Sequence, residues 1–220
     1  QTAKEKGKSP GRPPVVAVIG AGPVGNALAG ALARAGVPVL GLFARRPPAA
    51  RRAAALAGVP ALVGPALPDL GGADTILVAV GDDALAAVAS QVAAVAAPGA
   101  VLLKCSGATS SHEVFGLLAH EHATLHPLCA IADAASALET LGETLFGVEG
   151  TAIGKARART LVAALGARAL DVDSQTMPLY HAAATIASNY LVALASAAKT
   201  ALARSGVPDK NALAALVPLM

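Results

Sequence analysis

The strongest constraint on the fold is a glycine-rich turn between a short apolar run and a helix-forming stretch. Residues 15–19 are a β-branched run typical of a fully buried parallel strand. The turn that follows reads Gly-Ala-Gly-Pro-Val-Gly over residues 20–25, and residues 24–35 are predicted to form a helix that Gly36 ends. A strand, a tight glycine turn and a helix in this order predict the first part of a βαβ unit.

Apolar runs and helix-forming stretches then alternate as far as residue 119. Short runs of Val, Leu and Ile mark strands, and Ala-rich stretches of about a dozen residues mark helices. The predicted strands cover 38–43, 59–63, 74–80 and 99–104, and the predicted helices cover 47–58, 82–97 and 110–119. This alternation predicts an α/β protein with a doubly wound, mainly parallel Rossmann sheet.

The pattern loosens beyond residue 126. We expect strands over 145–153 and 168–171, on either side of a helix over 155–165. One long Ala-rich helix over 176–204 and a last helix from residue 209 onwards follow. The basic first residues are predicted to be a flexible arm. The expected domains are this arm, a Rossmann domain and a smaller all-helical domain, over 1–14, 15–173 and 174–220.

Composition excludes several classes of protein. The chain is 55% hydrophobic and 14% charged, which excludes a disordered chain. Only 2% of residues are aromatic, which argues against stacking on nucleic-acid bases. Residues 1–52 hold nine Lys or Arg and one Glu, an excess that suits either nucleic acid or a small anionic ligand near the N-terminus. The motifs described below favour the small ligand. Two cysteines, Cys105 and Cys129, make no disulfide framework and predict a reducing, cytoplasmic setting.

Two uncharged stretches are long enough to be considered as membrane-spanning segments. Residues 15–33 follow a basic stretch, but Gly20, Gly22 and Pro23 at the middle favour a strand, a turn and a helix. Residues 181–198 contain enough polar side chains for us to expect a buried helix of a soluble protein. We therefore expect neither membrane nor nucleic-acid binding.

The glycine turn has the spacing of a phosphate-binding loop. Gly20 permits the tight turn, Gly22 lets the backbone approach a pyrophosphate, and Gly25 lets the helix pack closely on the strand. The helix N-terminus supplies N–H donors to the phosphates. The predicted phosphate-binding residues are Gly20, Ala21, Gly22, Pro23, Val24 and Gly25.

Two arginines follow the second predicted strand. NAD-binding versions of this loop carry an acidic residue about twenty positions on, which bonds the ribose 2′-hydroxyl. Arg45 and Arg46 stand there instead, and guanidinium groups suit a 2′-phosphate. The predicted cofactor is NADP(H), the alternative being that both arginines are merely solvated. Arg51 and Arg52 are expected to be solvated.

Polar residues follow the later strands at the same predicted edge of the sheet. Val80, Gly81 and Asp82 follow the fourth strand, and we predict that they contact the cofactor. Asp82 and Asp83 are alternatively a helix N-cap. Ser106 follows the fifth strand and could bond the nicotinamide amide or a substrate oxygen, or could form only a local turn.

Four histidines crowd residues 112–126. His120 and His122 could place two imidazoles on one face of a strand, but no nearby Cys or Asp completes a zinc spacing. We expect no metal, and interpret these residues as surface histidines, with His126 near the cofactor.

Several segments together resemble one group of proteins. They are the glycine turn followed by Asn-Ala-Leu, Val-Gly-Asp-Asp-Ala-Leu from Val80, Cys-Ser-Gly-Ala from Cys105, His-Pro-Leu from His126, and Tyr-His-Ala-Ala-Ala with Ser-Asn-Tyr-Leu over residues 180–191. The chain is similar to bacterial proteins that join a Rossmann-like domain to a helical domain of unknown function, provisionally labelled NADP oxidoreductases. These are distant relatives of ketopantoate reductase, pyrroline-5-carboxylate reductase and 6-phosphogluconate dehydrogenase. In that family the helical domain continues past a Val-Pro-Leu segment, so we expect residues 174–220 to be an incomplete domain.

A polar stripe marks the long predicted helix. His181, Thr185 and Asn189 are four residues apart on one face, which suggests the wall of a cleft between the domains. In the related reductases the corresponding helix carries a Lys and, four residues on, an Asn. Thr185 takes the Lys position here, so the resemblance leaves His181 as the candidate proton donor, unless it is only a core residue.

The combined prediction is an NADPH-dependent oxidoreductase that transfers a hydride to a small carbonyl or imine carbon. The candidate catalytic residues are His181, Asn189, Ser106 and His126. The alternative is a non-catalytic NADP(H) sensor that regulates a partner. Apolar residues around the long helix predict a homodimer.

Overall fold

The computed structural model describes residues 12–131 and 133–219. The predicted arm lies outside the described residues as far as residue 11. The chain divides into two compact units, of which the first ends at Met177 and the second begins at Pro178. Each unit is described by itself.

The first unit is built on one sheet. Its eight strands within the described residues are β1 Val16–Ile19, β2 Val39–Phe43, β3 Ala61–Leu62, β4 Thr75–Val78, β5 Val101–Lys104, β6 His122–Pro127, β7 Leu145–Gly150 and β8 Arg168–Asp171. Their order across the sheet is β3-β2-β1-β4-β5-β6-β7-β8. Every neighbouring pair is parallel except β6 and β7, which are antiparallel.

Helices cover both faces of this sheet. They are α1 Pro23–Arg34, α2 Pro47–Ala57, α3 Asp82–Val95, α4 Ser111–Phe115, α5 Ala134–Thr140 and α6 Ala152–Ala164. Helices α1, α2, α5 and α6 contribute to one apolar core and α3 and α4 to the other. Burial on both faces explains why the central strands β1, β2 and β4 are almost wholly apolar. The predicted fold class, a doubly wound and mainly parallel Rossmann sheet followed by a helical region, is confirmed.

The strand order places a crevice at the centre of the sheet. The chain moves outward from β1 to β2 and β3, then returns to add β4 on the other side of β1. In open α/β sheets this switch point, at the carboxyl ends of the strands, is where ligands bind. The glycine turn between β1 and α1 lies at that edge.

Three elements differ from the sequence prediction. The helix predicted over 110–119 ends at Phe115; Ser110 and Glu113 form a capping box at its start. The strand predicted over 145–153 ends at Gly150, whose φ of +132° turns the chain, and Thr151 caps α6 with its side chain. Helix α5 was not predicted.

The second unit is helical. Its helices are α7 Met177–Thr185, α8 Leu191–Arg204 and α9 Asp209–Leu216, and the π-helical turn Ile186–Tyr190 joins α7 to α8. The expectation of a buried helix over 181–198 is wrong, because α8 has no buried residue and Leu191, Val192 and Leu194 are exposed. The segment Ser174–Arg204 is long and apolar enough to cross a membrane by those two criteria alone, which is weak evidence.

Candidate nucleotide-binding site

A cavity of about 770 Å³ lies at the carboxyl ends of β1, β2 and β4. Three parts of the chain enclose it: the glycine turn, the segment after β2, and the start of α3 with the residues before it. Its lining residues are Ile19, Gly20, Ala21, Gly22, Phe43, Ala44, Arg45, Arg46, Ala49, Leu67, Val80, Gly81, Ala84, Ala87, Val88 and Gln91. Seven of the predicted cofactor-binding residues are thus brought together.

Glycine suits each of three positions of the turn for a different geometric reason. Gly20 has a φ of +123°, and a Cβ there would lie 2.2 Å from the carbonyl oxygen of Ala79. A Cβ on Gly25 would lie 2.1 Å from the carbonyl oxygen of Gly20. A Cβ on Gly22 would meet nothing within 4 Å, so it would project into space where a ligand must approach. The turn therefore fits a pyrophosphate against its backbone.

The start of α1 adds to this fit. Gly22 is the N-cap and Pro23 the first helical residue, and no side chain caps the helix. Backbone N–H groups at such an end attract anions.

The two predicted arginines stand at the far end of the cavity. Arg45 and Arg46 are exposed, and Arg46 is the N-cap of α2. Both also line an adjoining cavity of about 400 Å³, together with Arg52. Arg52 is exposed, as expected, and adds a third cation beside this end. None of the residues lining either cavity is acidic.

An apolar wall was missed by the sequence prediction. Ala84, Ala87 and Val88 of α3 line the cavity with Leu67 and with the side chain of Gln91. The signal for it was present, because residues 84, 87, 88 and 91 share one helical face. Such a wall suits the flat faces of an adenine ring.

Five predicted cofactor residues do not line the cavity: Pro23, Val24, Gly25, Asp82 and Ser106. The interpretation of Asp82 and Asp83 as an N-cap is wrong, because Gly81 is the N-cap of α3 and no side chain caps it. Both aspartates lie in the first turn, where the helix dipole favours negative charge.

Ser106 and His126 end neighbouring strands outside this cavity. Lys104 of β5 pairs with Thr124 of β6, and Ser106 and His126 follow two residues later. A Cβ on Gly107 would lie 2.9 Å from the His126 imidazole, so only glycine lets the loop lie so close to that ring. The Ser106 hydroxyl accepts a 3.1 Å hydrogen bond from the Ala108 N–H, the local turn that was its alternative interpretation.

Buried ionisable groups surround this loop. Lys104 has no exposed surface, and burial lowers its pKa to about 8 against the opposing effects of Glu149, Cys105, Asp82 and Glu113. Burial also raises the pKa of the Cys105 thiol to about 12, so the thiol stays protonated at neutral pH. Sequence reasoning gave neither Lys104 nor Glu149 a role.

The four histidines do not form one site. His122 is buried, which corrects the expectation that it lies on the surface, and burial lowers its pKa. Its Nδ1 lies 2.9 Å from the Ser111 hydroxyl oxygen, whereas Nδ1 of His120 lies 3.0 Å from the Ala100 carbonyl oxygen. Among the described residues, no group of three His, Cys, Asp or Glu side chains is placed to hold a metal ion.

The remaining candidates belong to the second unit. His181 and Thr185 are half-buried on α7, and Asn189 is exposed within the π turn. Single π turns within helices are frequent at functional sites. Their role in catalysis stays a prediction.

This fold defines a class, the Rossmann-like domains. The chain belongs to the Rossmann-like domain family, which matches residues 5–129. Residues 144–220 match a domain of unknown function, DUF2520. The resemblance stated from the sequence is confirmed. No curated protein that was compared with this chain matches it.

Solved structures share the fold over most of the chain. A Bacteroides fragilis protein provisionally named an NADP oxidoreductase is 20% identical, with a TM-score of 0.76 over 94% of this chain and 77% of its own. A Thermotoga maritima protein is 25% identical, with a TM-score of 0.68 over 92% and 74%. The Plasmodium falciparum pyrroline carboxylate reductase, solved with NADP bound, is 13% identical, with a TM-score of 0.66 over 94% and 75%.

Proposed function

We propose that this protein is an NADPH-dependent oxidoreductase that reduces a small carbonyl or imine compound. One observation carries the proposal: Arg45 and Arg46 line the same cavity as the glycine turn, with no acidic residue among the lining. The likeness to NADP-associated neighbours agrees with it. We also propose a cytoplasmic location, since free Cys105 and Cys129 suit a reducing compartment.

The chain's own groups divide the work of binding. Arg45 and Arg46, with Arg52 beside them, hold a 2′-phosphate by charge-assisted hydrogen bonds. The backbone N–H groups at the start of α1 hold the pyrophosphate, and the apolar face of α3 packs on the adenine. When bound, the cofactor supplies a hydride to an electrophilic carbon. His181 is our candidate for the group that supplies the proton to the oxygen or nitrogen of the substrate.

The first test is cofactor selectivity. Calorimetric titration should show NADPH binding about 10- to 100-fold more tightly than NADH, the ratio that one or two additional charge-assisted bonds provide. The double variant Arg45→Ala, Arg46→Ala should remove this preference. Arg51→Ala is the matched control, because Arg51 is an exposed arginine of α2 that lines neither cavity. Equal affinities of the wild-type protein for the two cofactors would contradict the proposal.

Turnover distinguishes an enzyme from a sensor. NADPH oxidation should be followed against small ketoacids, semialdehydes and cyclic imines. Tight NADPH binding without oxidation in the presence of any of them would favour the non-catalytic NADP(H) sensor.

A further inference from the structure

Three buried residues form a row across the first unit's sheet. Lys104 of β5 pairs with Thr124 of β6, which pairs with Glu149 of β7. None of the three is more than 2% exposed. Directly paired residues of neighbouring strands point to the same face of a sheet, so a cation and a carboxylate share one buried face, separated by a threonine. Charges buried in this way are costly unless other groups satisfy them.

Both charges are satisfied by the same stretch of chain. The Lys104 ammonium donates to the carbonyl oxygens of Ser106, at 2.7 Å, and Thr109, at 2.6 Å. The Glu149 carboxylate accepts the Ser111 N–H at 2.6 Å and the Ser111 hydroxyl at 3.3 Å, and also accepts the Thr124 hydroxyl. The cation therefore holds the beginning and middle of residues 106–111, and the carboxylate holds their end. We call residues 106–111 the β5–α4 segment.

This arrangement fixes a conformation at a cost in stability. Apolar residues of similar volume in such a row are often as stabilising as buried charges or more so. Charges, however, specify which carbonyl and which N–H must face the sheet. Here they determine where the Ser106 hydroxyl lies and hold Gly107 against the His126 ring.

The β5–α4 segment lies where the second half of a dinucleotide would extend. Moving across the sheet, the residues after β2 are the two arginines, those after β1 the glycine turn, and those after β4 Val80 and Gly81. Strand β5 is next, and the β5–α4 segment follows it. With the 2′-phosphate at the arginines and the pyrophosphate at the turn, the nicotinamide half must extend toward this segment.

We propose that Lys104 and Glu149 are positioning residues that hold the β5–α4 segment in the conformation that receives the nicotinamide half of the cofactor. This inference rests on the proposed function. The inference divides the site into two parts. The arginine end has no contact with Lys104, Thr124 or Glu149, whereas the nicotinamide end depends on the conformation that Lys104 and Glu149 hold.

The experiment compares NADPH with adenosine 2′,5′-bisphosphate, which carries the adenine and the 2′-phosphate but no nicotinamide. Lys104→Met keeps the length of the side chain and removes the charge. We expect it to weaken NADPH binding about tenfold or more, since two charge-assisted bonds to the segment are lost. The bisphosphate should bind within about twofold of its wild-type affinity, because its contacts lie at the arginine end.

Two further variants distinguish a positioning role from a general loss of folding. Glu149→Gln keeps an acceptor for the Ser111 N–H while removing the charge, and should shift the same ratio of affinities in the same direction by a smaller factor. Arg157→Met is the matched control. Arg157 donates to the Asp74 carbonyl oxygen at 3.0 Å, just before β4 and so at the amino ends of the strands, whereas the β5–α4 segment lies at their carboxyl ends. It should leave the ratio unchanged. Thermal unfolding of each variant reports whether it is folded.

The outcomes separate the two proposals. If the wild-type protein binds neither ligand, the proposed function fails and this inference fails with it. If the wild-type protein binds both, but Lys104→Met and Glu149→Gln leave the ratio of affinities unchanged, only the positioning role is overturned. A variant that weakens both ligands equally indicates a general structural loss and overturns the positioning role as well.

Discussion

Lys104 is the residue whose surroundings differ most from what its side chain prefers. Its ammonium group has two backbone carbonyl partners but no exposed surface. In the unfolded chain the same group is fully hydrated and has its ordinary pKa of 10.5, compared with about 8 in the folded protein. Between these two pH values the unfolded state binds more protons than the folded state, so stability rises with pH.

This difference predicts an unusual pH dependence. The free energy of unfolding should increase by about 1 kcal/mol between pH 8 and pH 9, as Lys104 loses its proton only in the folded state. The rise is partly opposed from about pH 8 and more strongly above pH 9, because burial raises the pKa of the Cys105 thiol from 9.0 to about 12. Over this range the thiol loses its proton only in the unfolded state, which lowers stability as pH rises. Urea unfolding at half-unit steps of pH measures the slope.

Lys104→Met provides the comparison for that slope. The variant has no ammonium group to titrate, so its stability should stay flat or fall slightly from pH 8 to pH 9. An equal rise in both proteins would show that another group is responsible.

At the residue scale, the sequence predicted which groups come together where their placement follows from local spacing. Gly20, Gly22, Arg45 and Arg46 lie within one strand–turn–helix–strand unit, and their distances along the chain suffice to bring them together. Lys104 could not be interpreted in this way, because its partner in charge, Glu149, is 45 residues later and reaches it only through the antiparallel addition of β7.

At the scale of the element, the glycine turn combines two demands that substitutions can separate. Gly20 is required by the fold, since an alanine there would combine a φ of +123° with a contact of 2.2 Å to Ala79. Gly22 has an ordinary φ of −74° and open space around it. We therefore expect Gly20→Ala to lower the free energy of unfolding by about 1–3 kcal/mol.

The expectation for Gly22→Ala is the reverse. Stability should change by less than about 0.5 kcal/mol, whereas NADPH affinity should fall about tenfold or more, the equivalent of about 1.4 kcal/mol. Gly36→Ala is a control for strain alone, because Gly36 has a φ of +77° with nothing near it and is remote from the cavity. If Gly22→Ala binds NADPH normally, the pyrophosphate does not approach the turn as proposed.

The elements themselves were predicted where periodicity is strong. The strand and helix alternation up to β5 follows from buried apolar runs and Ala-rich stretches. Helix α4 is much shorter than predicted: Gly116 follows it directly, and a Cβ there would lie 2.5 Å from the His112 carbonyl oxygen. Helix α5 was missed, because its apolar face is only Ala134, Ala137 and Leu138, too few positions to show a period.

At the scale of the whole molecule, we propose that the protein is a homodimer formed through the second unit. Helix α8 has no buried residue, and Leu191, Val192 and Leu194 are each more than half exposed. Large apolar surfaces of this kind mark interaction sites, and a two-fold pair covers one copy with the other. Sedimentation should give twice the chain mass of 21.4 kDa at micromolar concentration.

One charge placed on that surface tests the proposal. Leu194→Lys should yield a monomer, because burying an unpaired ammonium at an interface is unfavourable. Leu117→Lys is the matched control, since Leu117 is a fully exposed leucine of the first unit. A wild-type protein that sediments as a monomer would refute the dimer, and a Leu194→Lys dimer would place the interface elsewhere.

The late position of Glu149 in the chain also sets an order of events during synthesis. Every residue that lines the nucleotide cavity has left the peptidyl transferase centre once Gln91 is added. The carboxylate that holds residue 111 comes 58 residues later, a delay of roughly 3–12 s at usual rates of translation. If the cavity binds NADPH as proposed, a nascent chain therefore contains the whole adenine end of the site well before the nicotinamide end can be completed.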